Sequence, residues 1–176
     1  MKKVLLVGAI AACFCAAAHA AEIKPYVGFD YVNMSPNLRD SLPDNYDIGS
    51  INAGVAYEDI GALEIFAERS MREKRNNGNM VTRGRLFGLG ADLLVNGFSF
   101  SQGAILGSIG YGRFTTKTRG EYGSEEKKGN AVRLGFGGEL NPTINWGFRA
   151  MFRYSLADSD AYKNAKEFSL GARYYF

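Results

Sequence analysis

Six acids and five bases recur on an every-second-residue spacing: Asp30, Glu64, Glu68, Asp92, Glu139 and Glu167 against Lys24, Arg133, Arg149, Arg153 and Arg173. A two-residue period puts side chains on one face of a strand. If that face is enclosed, unpaired charges are costly, and the near balance of signs predicts an ion-pair network. Such a network can serve as a gated ion path in which pairs exchange partners, or as a polar plug with no flux. The plug is preferred. A second set, Arg69, Arg83, Arg85 and Arg113, has the opposite parity and stands at the ends of three consecutive segments. The guanidinium fork matches phosphate, so these four read as a basic belt facing phosphate groups. The plainer reading is that the strands end earlier and the arginines are solubilising loop charges.

Histidine and cysteine are confined to the first twenty positions, and the plentiful Ser and Asp residues beyond them stand in no recognisable catalytic spacing. His19 is the only histidine, and Cys13 and Cys15 are the only cysteines. Lys2 and Lys3, an apolar run over 4–18 and the ending Ala18-His19-Ala20 form a secretory signal peptide, residues 1–20, cleaved after Ala20. The run is short for a helical span of about 20 residues. A lipid-modified Cys13 after Ile10-Ala11-Ala12 is the weaker alternative, because it leaves an unusually short apolar region. Cleavage leaves residues 21–176 as one domain without cysteine or histidine, so no disulfide holds it. The formal charge of +3 includes Lys2 and Lys3; without them 19 basic residues face 18 acidic ones. A generally basic, nucleic-acid-binding protein is therefore not expected, and no basic stripe is interleaved with aromatics. Nor is there a phosphate-cradling Gly-x-x-x-x-Gly-Lys loop or a histidine metal cluster, and no cofactor is expected.

The full chain has 22 glycines, 12 Phe and 10 Tyr, all but Gly8 and Phe14 beyond residue 20, and the hydrophobic pattern of that remainder alternates in eight segments. Val27, Phe29 and Tyr31 oppose Gly28 and Asp30; Ile51, Ala53 and Val55 oppose Asn52 and Gly54; Leu63 and Ile65 oppose Glu64 and Phe66. Segments near 87–93, 105–112, 132–140, 146–154 and 168–176 continue the pattern. Short connections at 58–61, 96–97 and 141–143 alternate with long polar ones at about 33–47, 71–80, 115–129 and 155–166. Phe98 and Phe100 are out of phase with Ile105 and Ile109, and a bulge near Gln102-Gly103 would restore the phase. Eight segments of about ten residues, with asymmetric loops, fit an all-β, eight-stranded antiparallel up-and-down transmembrane β-barrel.

Alternation alone also fits a soluble periplasmic barrel that carries an apolar ligand. The chemistry of the two faces separates them. One row is bulky and aromatic; the other is rich in glycine, with isolated charges. An eight-stranded barrel has an interior just wide enough for side chains, so the glycine-rich row belongs inside and the bulky row meets lipid. Tyr57, Trp146, Tyr174 and Phe176 at one rim and Tyr31, Tyr111 and Tyr154 at the other form interfacial girdles.

The ending Phe168-x-Leu170-x-Ala172-x-Tyr174-x-Phe176, with the opening 21–28, resembles the small eight-stranded outer-membrane barrels typified by the OmpA transmembrane domain, OmpX and the opacity-type surface proteins. The resemblance covers residues 21–176. It implies location in the outer membrane of a Gram-negative bacterium, contact with its lipid and lipopolysaccharide, and a terminal strand that serves as the assembly signal for the barrel assembly machinery. Lipopolysaccharide phosphates then become the expected partners of the arginine belt. Cell-wall anchoring does not carry over, because the chain stops where the peptidoglycan-binding domain of OmpA would begin. The resemblance also prompts a test for enzymes of this membrane: its lipid A deacylases, palmitoyl transferases, phospholipases and omptin proteases are similar in relying on histidine. With His19 in the signal peptide, those activities are disfavoured. The expectation is a non-catalytic barrel with a structural or adhesin-like role, its loops contacting surface ligands; a narrow passive channel is the alternative.

Overall fold

Period-two alternation requires that each strand have two different environments, and a closed sheet supplies them without leaving a free edge. The computed structural model describes residues 23–38, 45–57, 60–71, 73–77, 80–120, 123–158 and 162–176; the signal-peptide assignment lies outside them. The strands are β1 (Ile23–Leu38), β2 (Tyr46–Tyr57), β3 (Gly61–Ser70), β4 (Glu73–Asn77), β5 (Met80–Phe100), β6 (Gly103–Gly120), β7 (Gly123–Leu140), β8 (Trp146–Asp158) and β9 (Tyr162–Tyr175). Sequential neighbours pair antiparallel, β1 pairs with β9, and β3 pairs with β5. The short β4 continues the place of β3 alongside β5: Arg69 opposes Phe87, and Glu73 opposes Gly84. Counted as staves, the sheet is a closed eight-stranded antiparallel barrel. The seam joins the two ends of the described chain, with Tyr26 opposite Tyr175 and the Phe176 N–H donating to the Pro25 carbonyl at 3.0 Å.

The bulky row faces outward. Phe29, Ile51, Ile65, Leu89, Phe136 and Phe148 are each more than half exposed. In water every such residue would forgo about 1.5–3 kcal/mol of burial, whereas lipid accepts this wall. The soluble, ligand-carrying barrel is therefore overturned: its apolar row would have to point inward. At the lower rim Trp146 meets Tyr174 edge-on at 5.3 Å, and Tyr174 meets Phe176 in the same way at 5.3 Å.

Two connections differ from their sequence reading. Asn96-Gly97 looks like a two-residue hairpin turn, but β5 runs on to Phe100 and the chain reverses at Ser101 and Gln102. The register shift between Asn96 and Phe98 is the bulge, so it falls at Gly97 rather than near Gln102-Gly103. It turns Phe98 and Phe100 outward, opposite Ile105 and Gly103. The spans 71–80 and 115–129, read as loops, are largely strand. β5, β6 and β7 have 21, 18 and 18 residues, far more than the roughly 9–11 that cross a bilayer. Their surplus lies at the end remote from the chain termini, so a charged sheet projects beyond the wall. One turn depends on glycine: Gly61 has φ +145°, and a Cβ there would lie 1.9 Å from the Leu94 carbonyl oxygen.

Candidate functional site

Inside the barrel, two arginine-centred lattices fill the middle of the lumen. Arg133, from β7, donates to Asp92 at 2.6 Å, to Glu68 at 2.8 Å and to Glu167 at 3.4 Å. Its guanidinium lies 3.7 Å from the Phe66 ring centre, a cation–π contact. The Ser155 hydroxyl donates to Glu167, and Arg153 reaches Asp92 at 3.6 Å and the Ser169 hydroxyl at 3.0 Å. In the second lattice Arg173 forks onto both oxygens of Asp30 at 2.8 and 2.7 Å. Arg149 donates to Glu64 at 2.8 Å, and the Tyr26 hydroxyl and Asn52 amide complete the acceptors on Glu64 and Asp30. All these charged groups are buried.

Two glycines make the room. Asp30 stands opposite Gly171 and Asp92 opposite Gly110. A Cβ on Gly171 would lie 1.8 Å from the Asp30 carboxylate oxygen, and one on Gly110 would lie 1.7 Å from that of Asp92. Each carboxylate therefore lies over its neighbouring strand, Asp92 crossing β6 to meet Arg133 on β7 and Asp30 lying over β9 to meet Arg173 on β9 itself.

Of the eleven inward charges, nine join these lattices and two do not. Glu139 accepts the Tyr175 hydroxyl at the lower rim, and half-buried Lys24 lines the same mouth, a cavity of about 410 Å³. The sequence reading missed the apolar layers that bracket the lattices. Val32, Met34, Tyr46, Ile48, Leu86 and Phe114 cluster above; Tyr26, Ala62, Leu94, Leu106 and Met151 cluster below. Their inward parity was available from the same two-residue period.

On the outer wall, Arg69, Arg85 and Arg113 are exposed and lie within paired strands, so the strands do not end before them. Arg83 is placed opposite Lys74 and Arg119; its side chain lies outside the described set. Arg69 and Arg85 share a hollow of about 420 Å³ with Phe87, Thr115, Lys117 and Glu126. Arg113 does not line it. Lys117 was not singled out from the sequence, although it has the outward parity of Arg113. Glu126 bridges Lys117 at 2.8 Å and Lys128 at 2.9 Å, and these two ammonium groups lower its pKa to about 2.

The terminal-strand positions Phe168, Leu170 and Tyr174 point outward and Ala172 is half-buried, with Phe176 following the strand. Among the described residues no group of three or more His, Cys, Asp or Glu side chains is placed to hold a metal ion.

The family model described as outer membrane protein beta-barrel domain matches residues 5–176. Among curated proteins, none matches the chain in sequence. Several solved barrels share the fold. The attachment invasion locus protein Ail of Yersinia pestis superposes with a TM-score of 0.60 at 16% identity, over 89% of this chain and 99% of that one. It has also been crystallised with the heparin analogue sucrose octasulfate. Neisserial surface protein A gives 0.61 at 16% identity, over 90% and 100%. The N-terminal barrel of Pseudomonas aeruginosa OprF gives 0.54 at 14% identity, over 88% and 100%.

Proposed function

Since the chain belongs to the outer membrane protein beta-barrel domain family and so resides in the cell outer membrane, we propose that it is a non-catalytic barrel with an adhesin-like role. Its externally extended strands are the interaction surface. The observation that carries this reading is the excess length of β5, β6 and β7 over a bilayer crossing. The projecting sheet carries Lys117, Glu125, Glu126, Lys127 and Lys128, a mixed-charge surface suited to polar partners. The likeness to Ail, a protein named for attachment, supports it at the level of fold. The test is to delete residues 118–125, join Lys117 to Glu126 through two glycines, and measure attachment of expressing bacteria to host-cell monolayers. Attachment should fall to the level of cells without the protein; unchanged attachment rejects the role.

The lumen is read as a plug rather than a passive channel, because apolar side chains lie on both sides of the lattices. Purified protein should leave planar bilayers silent, and reproducible unitary conductance would reverse the assignment. Phe168, Leu170, Ala172, Tyr174 and Phe176 are assigned to recognition by the barrel assembly machinery. Cleavage after Ala20 is checked by the N-terminal residue of the outer-membrane form, expected to be Ala21. The arginines of the outer wall are assigned to the phosphates of lipopolysaccharide.

A further inference from the structure

Followed upward on each stave, the outward residues change from apolar to polar at one level. On β3 the order is Leu63, Ile65, Ala67, then Arg69; on β5 it is Leu89, Phe87, then Arg85; on β6 it is Ile109, Tyr111, then Arg113. Farther up, Lys117 follows Thr115 on β6, and Lys128 follows the border residue Asn130 on β7. The remaining staves behave differently. Their border residues are Asn33 on β1, Asp47 on β2, Asp158 on β8 and Lys166 on β9. The positive charge is thus gathered on one side of the barrel, not distributed around it.

We propose that this side holds a single site for a phosphate monoester of an outer-leaflet glycolipid, formed by Arg69, Arg85 and Lys117 in the hollow between β3, β5 and β6. The site rests on the assignment of the wall arginines made above and narrows it. Register places the three cations within reach of one anion: Arg69 is opposite Phe87, two positions from Arg85, and Arg85 is opposite Lys117. Diagonal neighbours of this kind are about 7–8 Å apart at the backbone, a gap that two long side chains close around one phosphate. Among the described residues no carboxylate pairs with Arg69 or Arg85. Phe87 forms the lower side of the hollow, and Leu89, Tyr111 and Ile65 continue below it as a bed for acyl chains.

Glu126 marks the upper limit of the site. Its carboxylate bridges Lys117 and Lys128, so half of the cationic row is already neutralised while the Arg69–Arg85 half is open. A phosphate binds at the open half and competes with Glu126 for Lys117. Neutralising Glu126 therefore strengthens lipid binding, an effect that a merely structural salt bridge would not produce.

The experiment uses the full exported chain in phosphatidylcholine nanodiscs containing lipopolysaccharide, and reads the glycolipid retained after detergent exchange. R69Q/R85Q is expected to retain about tenfold less, the loss of charge-assisted hydrogen bonds to one anion. E126Q retains more than the parent, and K166Q, which removes a border cation on the opposite side, leaves retention unchanged. Lipopolysaccharide treated with phosphatase is retained no better by the parent than by R69Q/R85Q. Equal loss in K166Q, no loss in R69Q/R85Q, or full retention of the dephosphorylated lipid overturns the site. Displacement of the glycolipid by millimolar inorganic phosphate overturns the lipid assignment in favour of a free-anion site. Heat-modifiable migration confirms folding of each variant; should R69Q/R85Q fail it, R69K/R85K, which keeps charge but loses the fork, must show intermediate retention. The trimmed 118–125 variant keeps all three cations, so loss of attachment and loss of glycolipid are separable outcomes.

Discussion

Arg133 concentrates more of the interior's electrostatics than any other side chain, with three carboxylates on one guanidinium and an aromatic ring against its face. Removing it leaves those buried acids without their shared counter-charge. Arg133→Ala should cost about 3–5 kcal/mol of stability, the usual penalty for uncompensated buried charge; urea unfolding from lipid vesicles measures it. Gly171→Ala is a second test, because its Cβ would displace Asp30 from Arg173. A loss of about 1–3 kcal/mol is expected for such overpacking. Gly49→Ala, whose Cβ would meet Phe29 at an ordinary 3.6 Å, should be neutral by comparison. Glu126 provides a pH test at the surface. Its carboxyl is depressed from an ordinary 4.5 to about 2 by Lys117 and Lys128. The bridge is thus complete above pH 4.5 and lost as pH falls through about 2. Carbon-13 titration of its side chain should show that midpoint, moving up toward 4.5 in Lys117→Gln. At this scale the inward charges were legible, because parity alone assigns a face. Which arginine meets which acid was not, because the partners come from strands distant in sequence: Asp30 with Arg173, and Glu64 with Arg149.

A strand's phase is shared by all its residues, so one inserted position redirects everything beyond it. Gly97 is that position in β5. Deleting it should leave a regular ladder with Phe98 still outward opposite Ile105. Inserting one further residue after it should instead rotate Phe98 and Phe100 toward the lumen, and the folded fraction in heat-modifiable migration should drop sharply for the insertion alone. The out-of-phase phenylalanines announced a bulge from the sequence, but its location was hidden because Asn-Gly is also the strongest hairpin signal. Long-range pairing decided the matter: Phe98 finds Ile105 across the sheet, and the turn moves to Ser101 and Gln102. The lengths of β6 and β7 were obscured for a related reason. The stretch from Thr115 to Gly129 is polar on both faces, and without alternation the sequence reads as loop. The two strands nevertheless pair residue by residue from Gly103 opposite Leu140 to Gly120 opposite Gly123.

Across the whole molecule, closure into eight staves explains why the bulky row faces outward and why glycine is so frequent inside. These features followed from period and residue size. The layering of the lumen did not, because it depends on height along the barrel axis, which strand tilt and stagger set. The seam between β1 and β9 has a consequence in time. β1 is the first strand to be made, yet its N-terminal edge finds its partner only when the last strand arrives, with Tyr26 opposite Tyr175 and Phe176 tied to Pro25. Until then a long, apolar, unpaired edge is open to any passing strand. The contact that completes the barrel is also the one with the greatest loop to close, and such contacts form slowly. A sheet that has not yet closed this seam has two unpaired margins, and its vulnerability to aggregation lasts until β9 meets β1.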